Sequence, residues 1–519
     1  MKPTKKLLPL LLCAALAIFA VSCNEQSDSP EPHSHSYLEG KCSCGATDPD
    51  YKPHEHSYTG GKCECGATDP NYEAHEHSYI DGKCSCGATD PDYSEPHEHS
   101  YVDGMCECGD IEPGSPLALL LESLAAQREE LKTHTGKISK YDNSDTEILL
   151  FRSYTADIGT ATSGAPTVTP SAEHPRLLLN KSTLPKVREN LAKDGVQAAR
   201  FAELLASDIP NDAALGTAYD QSSIDKHNLS YEYLEIIQAK ALGYLTEDNA
   251  YYGYQAILYM KNFLKTLDIE TANEQMRHYG YVMFTAALVY DWCYDLLTEE
   301  DKTQFIAGVE NVLCKGNNAN GAKMEVGFPP SALGAVADHA CEYMVLRDYL
   351  SFAVAVYGDN NSWWEYVGGR VYAEYVPVRN YYYQSGMAPQ GTGVYITARF
   401  VGDIFSAWIL ETATGENPYV GMENVVRSAL SYEFEPGKLF NDGDGDGNYV
   451  DAKRFIDIAY IAAYLFDDPT MLAQAKFLVG DNIVTKYHEG SKGYIAIDSP
   501  LLMALSGLSD IEPADDRYE

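Results

Sequence analysis

Between residues 33 and 109 one short unit is written four times, at a spacing of 21 or 22 residues. It reads His33-Ser34-His35-Ser36-Tyr37, then Gly40-Lys41-Cys42-Ser43-Cys44-Gly45. It returns as His54/His56/Tyr58/Cys63/Cys65, as His75/His77/Tyr79/Cys84/Cys86 and as His97/His99/Tyr101/Cys106/Cys108. Such self-similarity sets the architecture, because each copy must be a small structural unit in its own right. With one tyrosine and one variable aliphatic residue, no copy has the apolar surface for a core, so something else must hold it together. Two His and two Cys per copy are the ligand set of a closed tetrahedral zinc site. On an extended strand residues i and i+2 face the same way, so His-x-His and Cys-x-Cys form two short prongs, with the glycine between them making the turn.

The candidate ligands are therefore His33, His35, Cys42 and Cys44; His54, His56, Cys63 and Cys65; His75, His77, Cys84 and Cys86; and His97, His99, Cys106 and Cys108. Disulfides or an unstructured tract are the competing readings. A bridge within one Cys-x-Cys closes a strained ring, and pairing between copies leaves the histidines unexplained. Structural zinc is favoured on that ground.

The chain opens with Lys2, Lys5 and Lys6, an apolar stretch from Leu7 to Val21, and Ser22-Cys23. That is a secretory signal, its apolar run shorter than the ~20 residues of a membrane span. Ala20-Val21-Ser22-Cys23 resembles a bacterial lipobox, which implies cleavage after residue 22 and lipidation of Cys23. The expected location is the cell envelope, lipid-anchored at the outer membrane, with the membrane met only through the lipid. Residues 23–32 form a polar tether, 33–112 the zinc-type repeats, and 113–173 a helix (Leu117 to Leu131) followed by a Thr/Ser/Gly/Pro-rich linker.

Acidic side chains number 76 against 38 basic ones, a net charge of −38, and no basic run follows the signal, which argues against nucleic acid as a partner. Cys293, Cys314 and Cys341 fall in apolar helical patterns and read as buried thiols. From about Ser182 to Ala504 apolar residues recur at helical spacing, with Asn and Asp near the starts and Gly near the ends, and no alternating run is long enough to build a sheet. The expected fold is mainly α, with antiparallel helical hairpins arranged in a ring.

Three segments of this body carry a resemblance. His174-Pro175-Arg176-Leu177-Leu178-Leu179, with Leu184-Pro185 and Arg188, looks like the start of the heparinase II/III-like polysaccharide lyases. Ala287 to Thr298, containing Tyr290-Asp291-Trp292, resembles the same family's "YDW" helix. Asp338-His339-Ala340-Cys341-Glu342, running into Leu346-Arg347-Asp348, resembles a third segment. The resemblance spans roughly residues 174 to 510. It implies that residues 174–519 form an (α/α) toroid that eliminates across uronic-acid glycans, so that an acidic polysaccharide is the partner. It also implies a β-sandwich with a further catalytic His after the toroid. The sequence ends at Glu519, where that domain would start, so the sandwich is expected to be missing.

A uronate lyase must take a weakly acidic C5 proton, neutralise the adjacent carboxylate and protonate the leaving oxygen. His339 and Glu342 lie three apart, hence on one helical face, and match the family's base or orienter and its carboxylate partner. Gln390-Gly391-Thr392-Gly393-Val394-Tyr395 resembles the segment that carries the catalytic tyrosine, so Tyr395 is the expected general acid. Gln390 stands beside it as a substrate contact. Tyr382, with Tyr381 and Tyr383, is expected to line the sugar groove, and Arg379 and Arg399 to clamp an acidic sugar. Asp442, Asp444 and Asp446 begin an EF-hand-like loop that admits calcium, but position twelve is Lys453 where a Glu is required. Two further readings compete: a toroid glycoside hydrolase using Asp338, Glu342 or Asp291, and a non-catalytic glycan-binding lipoprotein on a metal-binding stalk.

Overall fold

The computed structural model describes residues 36–38, 41–42, 46–50, 52, 55–59, 62–64, 68–71, 77–80, 83–85, 88–91, 98–133, 166–192, 195–210, 231–266, 275–315, 344–388, 400–431, 433–436, 438–440, 449–451, 456–479 and 512–516. The chain divides into two compact units, residues 1–98 and 99–519.

The first unit carries three short antiparallel hairpins. They are β1 (Tyr37–Leu38) with β2 (Lys41–Cys42), β3 (Tyr58–Thr59) with β4 (Lys62–Cys63), and β5 (Tyr79–Ile80) with β6 (Lys83–Cys84). In each, the tyrosine lies directly across from the first cysteine of Cys-x-Cys. The second unit opens with the fourth hairpin, β7 (Tyr101–Val102) and β8 (Met105–Cys106), in the same register. Asp103 and Gly104 both take positive φ, 51° and 81°, the two-residue turn that matches strand twist and for which Asp-Gly is suited.

The rest of the second unit is mainly helical. Helix α1 (Pro116–Leu131) begins at Ser115, whose Oγ accepts from the Ala118 amide at 3.1 Å, with Pro116 at the position that needs no donor. Its inward residues are Leu117, Leu120, Leu124 and Gln127, one face at helical spacing. After α2 (Leu184–Leu191) and α3 (Val196–Ala206), α4 (Tyr231–Glu247) and α5 (Ala250–Thr266) form a hairpin around Asp248. Then come α6 (Gln275–Trp292), α7 (Glu299–Lys315), a π-helical turn at Met344–Tyr349 that continues as α8 (Leu350–Ala355), and α9 (Asn361–Trp363). π-Helical turns at Trp364–Gly368 and Val371–Tyr375 lead into α10 (Val376–Tyr383). Helices α11 (Val401–Thr414) and α12 (Met422–Leu430) follow. A three-stranded antiparallel sheet is then built from β9 (Glu433–Glu435), β10 (Lys438–Phe440) and β11 (Tyr449–Asp451), and α13 (Ile456–Phe466) and α14 (Pro469–Val479) complete the order.

Alternate helices pack together: α4 on α6, α6 on the 344–355 helix, that helix on α11, and α11 on α13. The helices between them lie alongside, α5 on α4 and α6, α7 on α6, α12 on α13, and α14 on α13. The described side chains of α6, Tyr281 to Trp292, are buried on every side, as a helix surrounded by others requires. Helix α1 is tied across to α5 and α7 by polar bonds from its inner side. Gln127 donates to Leu258 O and Asn262 Oδ1, and Arg128 pairs with the fully buried Asp301 at 2.7 Å. Lys261 meets the same carboxylate at 2.6 Å, and Thr298 at the start of α7 donates to it. Burial alone would raise the pKa of Asp301, but the bonds from Arg128 and Lys261 outweigh it and hold the carboxyl at about 2.

Two sequence expectations are revised. The small sheet at residues 433–451 was not anticipated, because strands of three residues are too short to show alternation. Part of the 113–173 linker belongs to the body: Ser171 donates its amide to Ala413 O at 2.7 Å, and Trp364 Nε1 bonds Val168 O at 3.3 Å. Among the described residues no helix is long and apolar enough to cross a membrane.

Candidate functional site

The period of two along an extended chain builds the fourth repeat. His99, Tyr101 and, across the ladder, Cys106 share one face, and the turn that follows Cys106, closed by the Gly109 amide on Cys106 O, brings Cys108 back to them. His99 stacks on Tyr101 with ring centroids 5.7 Å apart, as His56 does on Tyr58 and His77 on Tyr79, both at 5.6 Å. The first cysteine of each copy, Cys42, Cys63, Cys84 or Cys106, is buried beneath its hairpin. One ligand atom from each of His99, Cys106 and Cys108 lies within 4.8 Å of the others, with His99 Nδ1 3.4 Å from Cys108 Sγ. Two thiols and an imidazole so gathered are soft donors that suit zinc. Cys42, Cys63, Cys84, Cys106, Cys108 and Cys293 are all free of disulfides.

The other nitrogen of His99, Nε2, lies 3.0 Å from Asp110 Oδ2. Sequence reading missed Asp110. Its place beside the imidazole depends on the turn after Cys108, where the Cys106 amide donates to Asp110 O at 2.8 Å. A hydrogen bond with the Asp110 backbone favours the Cys108 thiolate, but desolvation and the neighbouring Cys106 thiol leave its pKa raised.

Two of the three resemblance segments meet in the helical body. Asp291 Oδ1 bonds His174 Nδ1 at 2.7 Å, and its Oδ2 accepts the amides of Arg176 and Leu177 at 2.9 and 2.8 Å. Trp292 Nε1 donates to Leu177 O at 3.0 Å. Arg176 reaches on to the carbonyls of Val354, Ala355, Tyr357 and Ser171. His174 stacks flat on Tyr294 at 3.6 Å, and Tyr290 donates to Asp359 Oδ2 at 2.8 Å. Asp291 is buried, and both its carboxylate oxygens are taken up by His174 and the Arg176 and Leu177 amides, which weighs against it as a hydrolytic carboxylate. The third segment is described from Met344 on. Arg347 is buried over the rings of Phe284, Tyr281 and Phe405 and bonds Asp348 at 2.6 Å. Burial pushes the Asp348 carboxyl up to about 6 despite that arginine.

Of the expected sugar contacts, Tyr381 and Tyr382 stand at the surface, edge to face at 5.9 Å, on the last turn of α10. Tyr383 departs from that expectation: it turns inward and donates to Asp403 Oδ2 at 2.7 Å. Arg379 is only 2% exposed and bonds Asp403 Oδ1 at 3.3 Å beneath the Tyr375 ring. Its geometry is that of a core ion pair, against the expected clamp on a sugar carboxylate. Cys23, His33, His35, Cys44, His54, Cys65, His75, Cys86, His97, Asp338, His339, Glu342, Gln390, Tyr395, Arg399, Asp442, Asp444 and Asp446 lie outside the described residues. Comparison of the chain with protein-family models and with curated proteins returned no match to either.

Proposed function

We propose that the chain is an envelope-anchored polysaccharide lyase that acts on uronic-acid glycans by β-elimination and carries zinc-binding repeats between its anchor and its catalytic body. The observation that supports the enzyme half is the joint between His174–Leu177 and Asp291–Trp292. Two segments that resemble one lyase family, more than a hundred residues apart, bond to each other. The row of alternate packed helices is the arrangement an (α/α) toroid would extend. In this reading Tyr395 transfers the proton, His339 orients or accepts it, and Glu342 sits against the uronate carboxylate. Tyr381 and Tyr382 offer aromatic faces to pyranose rings. Asp338 and Glu342 are what the rival hydrolase reading retains.

The metal half is supported by the convergence of His99, Cys106 and Cys108. Incubating the protein with a panel of uronate polysaccharides and following the ultraviolet absorbance of the unsaturated product tests the enzyme. A new reducing end without that absorbance would favour hydrolysis. Metal analysis of the reduced full chain tests the repeats, and a chain that retains no zinc would remove that half.

A further inference from the structure

The four repeats share their histidines and cysteines but not their surroundings. Asp110 stands where the first three copies have Ala46, Ala67 and Ala88. The backbone makes these positions equivalent: Cys42, Cys84 and Cys106 donate their amides to the carbonyls of Ala46, Ala88 and Asp110 at 2.8, 2.9 and 2.8 Å. Met105 likewise stands where the others have Lys41, Lys62 and Lys83. The bridges Lys41–Thr47, Lys62–Thr68 and Lys83–Thr89 become Met105–Ile111. Lysine to methionine removes one positive charge and alanine to aspartate adds one negative charge, beside the same donors. Both changes favour a cation.

The Asp110 carboxylate also acts through geometry. With the Nε2 proton bonded to Asp110, the lone pair of His99 lies on Nδ1, the nitrogen that faces Cys108. A carboxylate behind a ligating imidazole fixes its tautomer and orientation, and loss of such a partner typically weakens metal binding by ~10–100-fold. The first three copies have only a methyl group at that position.

The fourth copy is also bonded into the helical body. Glu112 donates its amide to Gly104 O at 2.9 Å. Gly104 lies so close to the start of α1 that a Cβ there would meet Ser115 Oγ at 2.9 Å and Leu117 Cβ at 3.2 Å. Ser115 caps α1, and α1 is held to α5 and α7 through Arg128 and Gln127. A metal that clamps β7 and β8 therefore braces the first turn of α1.

Building on the zinc reading of the repeats, we propose that the fourth is a distinct site, the tightest of the four, whose metal stabilises the helical body. The test uses the reduced full chain loaded with zinc and titrated with a chromophoric chelator, while melting is followed by circular dichroism in the helical band. Three equivalents should leave first without moving the helical transition, and the last should leave with a fall in melting temperature. Asp110→Ala should weaken that last equivalent by ~10–100-fold. Ala88→Asp should carry a second equivalent into the tight class, which keeps the test decisive even if Asp110→Ala fails to fold. Release of all four equivalents together, unchanged by Ala88→Asp, would overturn the proposal while leaving the zinc reading intact. So would a melting temperature indifferent to the last equivalent. A chain that takes up no zinc would overturn the zinc reading itself.

Discussion

Asp301 and Asp291 do similar work with different partners. Each is a buried carboxylate that ties separate stretches of chain together, Asp301 through two cations and Asp291 through a histidine and two amides. Removing one member of a buried charge cluster strands the others, so Asp301→Asn should cost about 3 kcal/mol of unfolding free energy at neutral pH, read from urea denaturation. The carboxyl is held at about 2, below its usual range near ~3.9, so its stabilisation is present above that range and lost as pH falls toward 2. Stabilities of wild type and variant should therefore converge over that interval, and a gap constant with pH would refute the assignment. Asp291→Ala should destabilise by about 2 kcal/mol or more by leaving two buried amides unsatisfied, and should not selectively abolish turnover in the protein that remains folded. At this scale the gathering of His99, Cys106 and Cys108 was legible in the sequence, because His-x-His and Cys-x-Cys recur as paired prongs. Asp110 and the inward turn of Arg379 were not, because each depends on a partner brought in by folding.

At the scale of elements, α1 and α7 follow the apolar spacing closely: α1 buries Leu117, Leu120, Leu124 and Gln127 behind a Ser115 cap, and α7 buries Asp301, Phe305 and Val309 behind Thr298. The π-helical turns between Met344 and Tyr375 share that spacing and were invisible to it, and the three-residue strands of the 433–451 sheet carried too few positions to register. The fourth hairpin and α1 behave as one element through Gly104 and Ser115. Gly104→Ala should cost about 1–3 kcal/mol, because it adds a side chain at positive φ and against Ser115. Ser115→Ala should cost about 1 kcal/mol through the lost cap. Denaturation followed in the helical band measures both, and a Gly104→Ala protein as stable as wild type would separate the hairpin from the helix.

For the whole molecule, the proposed lyase would carry a lipid anchor, a string of small metal-type modules and a helical body whose segments resemble that family. Strong net negative charge would repel a densely sulfated glycan, so activity should be greater on glycans whose charge is mainly carboxylate, and the difference should shrink as salt is raised. A salt-independent preference for the sulfated polymer would contradict that. The most direct measurement is the appearance of the unsaturated ultraviolet-absorbing product when the full chain meets carboxylated uronate polysaccharides. The account predicts that absorbance rises for the wild type and is lost in Tyr395→Phe and His339→Ala proteins that melt like it. No rise on any uronate glycan, or a rise that both variants retain, would contradict it.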